Sequence, residues 1–355
     1  MKKILQVIGL ATFIGFASQT ASAVEFDEGI FHYTSIEESD GDVKVSLKEG
    51  ATVPAEVVIP TEVTFLGKTY TVTHLGGWMF QNNTTLEKVT LPGRMTTFEY
   101  AVFEGCSNLT SCPLPESLKW IGNYCFKGCA NLKDFTIPEN VEYIGPNALV
   151  DAFKQSPLAE LVIPDAVTTI GNNAFMGALI SRIVFGKGIS EIAEGLCAWC
   201  DKLEDIVMPH NIKVISPWAF QGCSFTKVNV GAPEVIGANV FADSYTTIEE
   251  VRCEATTVPV CVETSFPDAA YEGTLIVPDE AVDAYKADAV WGKFATIKGV
   301  EAAGIDDIIT GEGFITNGNA STEVYNLQGV RVASSLEMVA APGMYIAGGK
   351  KVLVK

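Results

Sequence analysis

One stretch constrains this chain more than any other. Residues 86–131 hold the same 23-residue unit twice, LEKVTLPGRMTTFEYAVFEGCSN followed by LTSCPLPESLKWIGNYCFKGCAN. Leu86 matches Leu109, Pro92 matches Pro115, Phe98 matches Ile121, Phe103 matches Phe126, and Gly105-Cys106 matches Gly128-Cys129. Further copies begin at Leu132, Leu158, Ile180, Leu203 and Phe225, and a degenerate one precedes them at Val58-Ile59-Pro60 and Val72–Gly76. A unit of this size cannot bury its own apolar side chains. It has to stack on its neighbours, so that equivalent residues form continuous columns.

A fixed period in the twenties with leucine-like anchors predicts a leucine-rich-repeat solenoid, mainly β, with one short parallel strand per repeat, turns and short helical segments. In Leu86-x-x-Val89-x-Leu91, alternation puts Val89 and Leu91 on one face and Thr90 on the other. Proline then ends the strand, because it has no N–H to give to a ladder. A Val-x-x-Ile-Gly segment turns the chain, and Ala-Phe places a large ring in the next column. Phe103, Phe126, Phe175, Phe220 and Phe241 are therefore expected to stack inside the coil, each worth roughly 1.5–3 kcal/mol on burial. The third repeat carries three extra residues before Leu158, and the fifth has Gly186 where proline is expected. Both departures should perturb the curvature or the exposed face.

The ends read differently. Residues 1–23 resemble a secretion signal: Lys2 and Lys3, an apolar run from Ile4 to Ala17, and the small-residue site Ala21-Ser22-Ala23. The run is too short for a membrane span, and no later stretch is long and apolar enough for one. Residues 24–54 are expected to cap the first coil with strands around Phe31–Tyr33 and Val43–Leu47, turning at Ser39–Asp42. The solenoid occupies 55–250 and a closing unit 251–300. In that unit Thr274–Val277 is a strand, Asp279 a helix cap, Glu280–Lys293 a short helix, and Trp291 and Phe294 a seal over the core. Residues 301–321 read as a glycine-interrupted linker, and 322–355 as a small all-β module of two hairpins.

The formal charge is −19. Residues 1–23 hold two lysines and no acid, so the rest carries −21. This argues against nucleic acid or an anionic membrane as partner and suits a soluble exported chain. There is no Asp-x-Asp-x-Asp-Gly loop for calcium. Nine cysteines in an exported chain suggest disulfides. Yet Cys106, Cys129, Cys200 and Cys223 share one repeat position, and Cys125 and Cys197 lie near another, where small buried thiols fit a narrow column. Cys112, Cys253 and Cys261 fall off the pattern, and the last two are candidates for a bridge. Cys197-Ala-Trp-Cys200 matches C-x-x-C, but without a helix start or a second ligand pair. His32, His74 and His210 lie in different units without metal-ligand spacing. No nucleophile elbow or phosphate loop is present. The reading is of a non-enzyme with no cofactor or metal.

The repeat Leu-x-x-Val-x-Leu-Pro-x-x-Val-x-x-Ile-Gly-x-x-Ala-Phe-x-Gly-Cys resembles the bacterial BspA-type leucine-rich-repeat surface proteins, over about residues 54–300. Thr274–Pro278, Ala284-Tyr285-Lys286 and Trp291 look like that family's closing unit. The tail Val324–Val332, Gly343–Ile346 and Lys351–Lys355 is similar to C-terminal sorting domains of Bacteroidetes exported proteins. The resemblance implies a secreted or cell-surface protein that binds host proteins or other bacteria.

A binding surface must then come from side chains that the repeat leaves free. Outward positions near the first strand include Glu87 and Lys88, Lys133 and Asp134, and Glu204 and Asp205. The second extended segment aligns Trp120 with Tyr143 on adjacent coils. Such a pair either anchors a partner or is a cross-strand contact that stabilises the stack by roughly 0.2–1 kcal/mol. The sequence-level expectation is an exported, monomeric, adhesin-like protein with a protein or glycan ligand. The alternatives are an envelope structural role or a carbohydrate-binding accessory, on the surface or in the periplasm.

Overall fold

The computed structural model describes residues 23–37 and 39–300, together with the backbone of the strands Asp307–Ile309, Val324–Asn326, Arg331–Ala333, Gly343–Ala347 and Lys350–Val354. The signal-like residues 1–22 lie outside the described residues.

The chain winds into a mainly-β solenoid of about ten turns. A regular turn contributes two short strands. The first comes from Leu-x-x-Val-x-Leu and is seen at Glu56–Val58, Lys88–Thr90, Leu158–Val162, Ile180–Val184, Asp205–Val207 and Lys227–Asn229. The second comes from the Val-x-x-Ile segment, at Thr97–Phe98, Trp120–Ile121, Tyr143–Ile144, Thr169–Ile170, Glu191–Ile192, Val214–Ile215 and Val235–Ile236. Strands of successive turns pair in parallel and in register, Phe98 beside Ile121 beside Ile144 beside Ile170. The glycine after the isoleucine makes this approach possible. A Cβ on Gly122 would lie 2.2 Å from the Glu99 carbonyl oxygen.

The coil closes through two left-handed residues per turn, such as Tyr124 (φ 60°) and Gly128 (φ 74°), or Trp218 (φ 58°) and Gly222 (φ 66°). Between them hangs the ring of one inner column, and the thiol of the other follows the glycine. Phe80, Phe103 and Phe126 stack at 5.5 and 5.2 Å, and Phe220, Phe241 and Phe266 at 5.8 and 5.2 Å. The expected single phenylalanine stack is thus two stacks. Leu149 and Cys197 occupy the column in the third and fifth repeats, so Phe175 is buried without a stacked ring on either side. In the third repeat the extra residues carry Phe153 (φ 63°) into the core, where it packs against Phe135 at 5.5 Å.

All nine cysteines are free thiols, Cys253 and Cys261 included. The shared position has a bonding role as well as a packing one. The thiols of Cys106, Cys129, Cys200 and Cys223 donate to the carbonyl oxygens of Phe80, Phe103, Phe175 and Cys197, one turn earlier, at 3.0–3.3 Å. Ladder interruptions fall near the irregular repeats. The first-strand ladder is weak at the second repeat, where Pro113 lacks an N–H and a lone bridge joins Lys88 to Ser111. It is absent at residues 133–137 of the third, and the second-strand ladder opens between Thr169–Ile170 and Glu191–Ile192.

At the N-terminal end Phe31–Ser35 and Asp42–Leu47 pair antiparallel, with an outer strand at Glu25–Glu28. Asp42–Leu47 then lies parallel to Lys68–Leu75, joining this hairpin to the solenoid sheet. At the other end the parallel first-strand sheet runs past Asn229 through Glu250–Arg252, Thr274–Val277 and Thr296–Gly299. The helix there is shorter than expected. Val282–Ala287 is α-helical, flanked by 3-10 turns at Asp279–Ala281 and Trp291–Lys293, and Asp288 breaks the run by accepting from the N–H groups of Val290 and Trp291. Asp279 is the first residue of its turn, with Pro278 in the cap position. Trp291 seals the core as expected, 1% exposed, its indole N–H donating to the Pro259 carbonyl at 3.0 Å. The C-terminal strands form one five-stranded sheet, and it includes Asp307–Ile309 from the stretch read as linker.

Candidate binding surface

The residues singled out in the sequence fall on two surfaces. Glu87, Lys88, Lys133, Asp134, Glu204 and Asp205 are all exposed beside the first-strand sheet. Trp120 and Tyr143 stand on the second-strand sheet. The two sheets lie on different sides of one core, so the fold does not bring these groups together.

The first-strand surface is charged, and its ion pairing is only partial. Arg182 bridges Glu160 and Asp205, both at 2.7 Å, on adjacent strands. Next to this row Val162, Val184 and Val207 stand in register and floor a shallow groove walled by Pro164, Pro209 and His210. His210 itself is held by Glu254 at 3.0 Å.

The second-strand surface is different. Its outward row runs His74, Thr97, Trp120, Tyr143 and Thr169 in register, and after the opening of the ladder Glu191, Val214, Val235 and Val260. Over these nine positions Glu191 is the one carboxylate, and it accepts from the Ser216 hydroxyl at 2.6 Å. The flanking row carries charges, but they pair with each other: Lys119 with Glu142 at 2.9 Å and Lys213 with Glu234 at 2.8 Å. In a chain of charge −19 this is a long, nearly neutral strip.

Trp120 and Tyr143 are its most prominent feature. Their rings lie 3.6 Å apart and 12° from parallel, and Trp120 remains 44% exposed. The tyrosine hydroxyl reaches Asn123 Oδ1 at 3.5 Å. A second aromatic run begins one residue beyond that asparagine: Tyr124, Tyr100 and Trp78, with ring centres 5.2 and 5.1 Å apart. Single-residue reasoning missed this run because its members belong to different repeat positions. The available signal was the left-handed position itself. Most other turns give it Asn147, Asn173, Gly195 or Asn239, whereas Trp78, Tyr124 and Trp218 put a large ring there. A bulky side chain with positive φ costs about 1–2 kcal/mol, and Trp78 and Trp218 stay exposed.

The groups that would serve catalysis are not assembled. His32 pairs with Asp27 at 2.8 Å in the N-terminal hairpin, far along the chain from His74 and His210. Burial holds the His74 imidazole below its usual range, which favours the neutral ring. Burial pushes the Cys197 thiol well up, the opposite of what a C-x-x-C nucleophile needs. Among the described residues no three His, Cys, Asp or Glu side chains are grouped to hold a metal ion.

Comparison with known proteins places this architecture. The family of BspA type leucine rich repeat regions matches residues 60–152 and 150–249, in six copies. The chain belongs to that family. Among solved structures, a leucine-rich repeat protein from Bacteroides ovatus superposes with a TM-score of 0.57 at 23% identity, covering 78% of this chain and 77% of that one. The leucine rich repeat protein of T. pallidum gives 0.47 at 24% identity, covering 62% and 90%. A leucine rich cell surface protein from Faecalibacterium prausnitzii gives 0.41 at 15%, covering 79% and 95%. No curated protein matches the sequence. Within this chain the positions that recur from repeat to repeat are the buried ones, and the exposed strip varies from turn to turn. Among the described residues no helix is long and apolar enough to cross a membrane.

Proposed function

We propose that this BspA-type protein is an exported, non-enzymatic binding protein of the cell surface, adhesin-like in action, and that it meets its partner through the second-strand face. The observation that carries the reading is the exposed Trp120–Tyr143 stack on a strip whose neighbouring charges are already paired. Large rings on rigid strands supply contact area at low entropic cost, and paired flanking charges lower the desolvation penalty of covering them. Export is supported by the signal-like Lys2-Lys3, apolar run and Ala21-Ser22-Ala23, and by the likeness of the tail to Bacteroidetes sorting domains. The charged first-strand residues, Glu87, Lys88, Lys133, Asp134, Glu204 and Asp205, serve solubility in this reading.

Protease shaving of intact source cells, with the protein followed by antibody, tests the location. Stripping from living cells supports the surface assignment. Protection until the outer membrane is opened places the protein in the periplasm and removes the adhesin role.

A further inference from the structure

Trp120 has two faces, and they differ. Tyr143 covers one at 3.6 Å, so the 44% of the residue left exposed lies on the opposite face and the edge. On that open side the neighbour in register is Thr97, whose side chain is short, and beyond it comes His74. Two strand spacings, about 9.5 Å, therefore separate His74 from the indole, with a threonine as the floor. A ring placed midway would sit about 4.8 Å from each wall, within the stacking range of cyclic groups. The polar groups around the slot are neutral or neutralised. Burial favours the neutral form of His74, and Glu99 is held by Lys44 at 3.1 Å and by the Gly77 N–H at 2.9 Å. Thr97 offers a hydroxyl at the floor, while the Asn123 amide oxygen is taken by the Tyr143 hydroxyl on the covered side. The slot thus asks for a ligand with an apolar ring face, a rim of hydrogen-bonding groups and no charge.

We propose that the Trp120–Thr97–His74 slot binds a neutral glycan, one pyranose ring stacking on the free face of the indole while its hydroxyls bond to the Thr97 hydroxyl and the His74 imidazole. This rests on the second-strand face being the binding surface and adds the class of ligand. A charged sugar or an acidic peptide lacks an unpaired cation here, and it would approach a protein of charge −19. An aliphatic side chain would cover the Thr97 hydroxyl without bonding to it, cutting it off from water. The aromatic run Tyr124–Tyr100–Trp78 lies on the same three turns as Trp120, Thr97 and His74 and gives a longer chain further rings to lie against.

The test is a tryptophan-fluorescence titration of the protein lacking residues 1–23 with mannohexaose, laminarihexaose and cellohexaose, and with hexagalacturonate as the charged comparison. The expected result is saturable binding of at least one neutral hexaose at concentrations up to about 1 mM and none of the acidic one. Trp120→Ala should weaken it about tenfold or more, and Thr97→Trp, which fills the slot, should abolish it. Trp218→Asn, remote from the slot, should leave it unchanged. Circular dichroism of each variant separates loss of binding from loss of fold. Binding to none of the three neutral hexaoses, or equal binding by Trp120→Ala, overturns the proposal. A photo-crosslinker at position 120 on source cells separates the two levels of inference. Adducts to protein in the absence of hexaose binding would remove the glycan and leave the face as a binding surface. No adduct and no hexaose binding would remove both.

Discussion

Replacing Phe126 by alanine tests whether the aromatic column holds the coil together. Phe126 is fully buried, stacked on Phe103 at 5.2 Å and edge-on to Phe135 at 5.3 Å and Phe98 at 6.1 Å. Transfer of the ring alone accounts for about 2–3 kcal/mol. The ring pairs and the cavity left behind bring the loss to about 3–5 kcal/mol, the usual cost of Phe→Ala in a core. The second-strand ladder, Phe98 beside Ile121 beside Ile144, holds the flanking coils in place although the first-strand ladder is weak here, so the site can collapse only in part. Each turn touches only its neighbours, and the loss should therefore be local. Hydrogen exchange followed by mass spectrometry reads both quantities. Protection should fall by 3–5 kcal/mol in peptides covering about residues 98–150 and much less in those covering 205–252. A loss below about 1 kcal/mol would refute the packing argument. An equal loss in every coil would refute the nearest-neighbour account.

The thiols should be silent in the folded protein. Burial pushes Cys106 up to about 12, and Cys253 and Cys261 to about 11. At pH 8 iodoacetamide should therefore leave the eight buried cysteines unmodified, label half-exposed Cys261 slowly, and modify all nine in denaturant. Trp218→Asn should raise stability by about 1 kcal/mol, read as a higher Tm, because asparagine tolerates the left-handed position that tryptophan fills at φ 58°. Asp27 accepts from His32 and pairs with Lys48, and both hold its carboxyl below the ordinary 3.8. A lowered carboxyl pKa gives stability that is present above that value and lost as pH falls through the folded one. Asp27→Asn should thus lower the urea midpoint more at pH 6 than at about pH 2. Trp120→Ala should cost less than about 1 kcal/mol in the same assay, since a cross-strand pair on the surface is worth no more.

The coil was legible in the sequence because its period is carried by buried residues, and burial leaves little choice of residue. Leu86, Val89, Phe98 and Phe103 repeat since each fills the same space in every turn. The interruptions were harder to read. Pro113 removes a ladder donor, and Phe153 reaches the core only through a left-handed backbone that no spacing rule reveals. The hydrogen-bonding role of Cys106 and its equivalents was hidden for a similar reason: the partner carbonyl lies one turn earlier, and the sequence shows only a small apolar residue. The surface was half legible. Alignment of repeats placed Trp120 beside Tyr143, because register in a parallel ladder follows the period. It did not separate the charged first-strand row from the neutral second-strand row, a distinction that appears once Lys119 is seen to pair with Glu142 and Arg182 with Asp205.

The account rests most directly on which face meets the partner. Benzoylphenylalanine placed singly at positions 120, 143, 214 and 235, and for comparison at 88, 134 and 205, can be photo-activated on source cells. The account predicts adducts from the second-strand positions and none from the first-strand positions. Adducts confined to 88, 134 and 205 would contradict it and move the binding surface to the charged face.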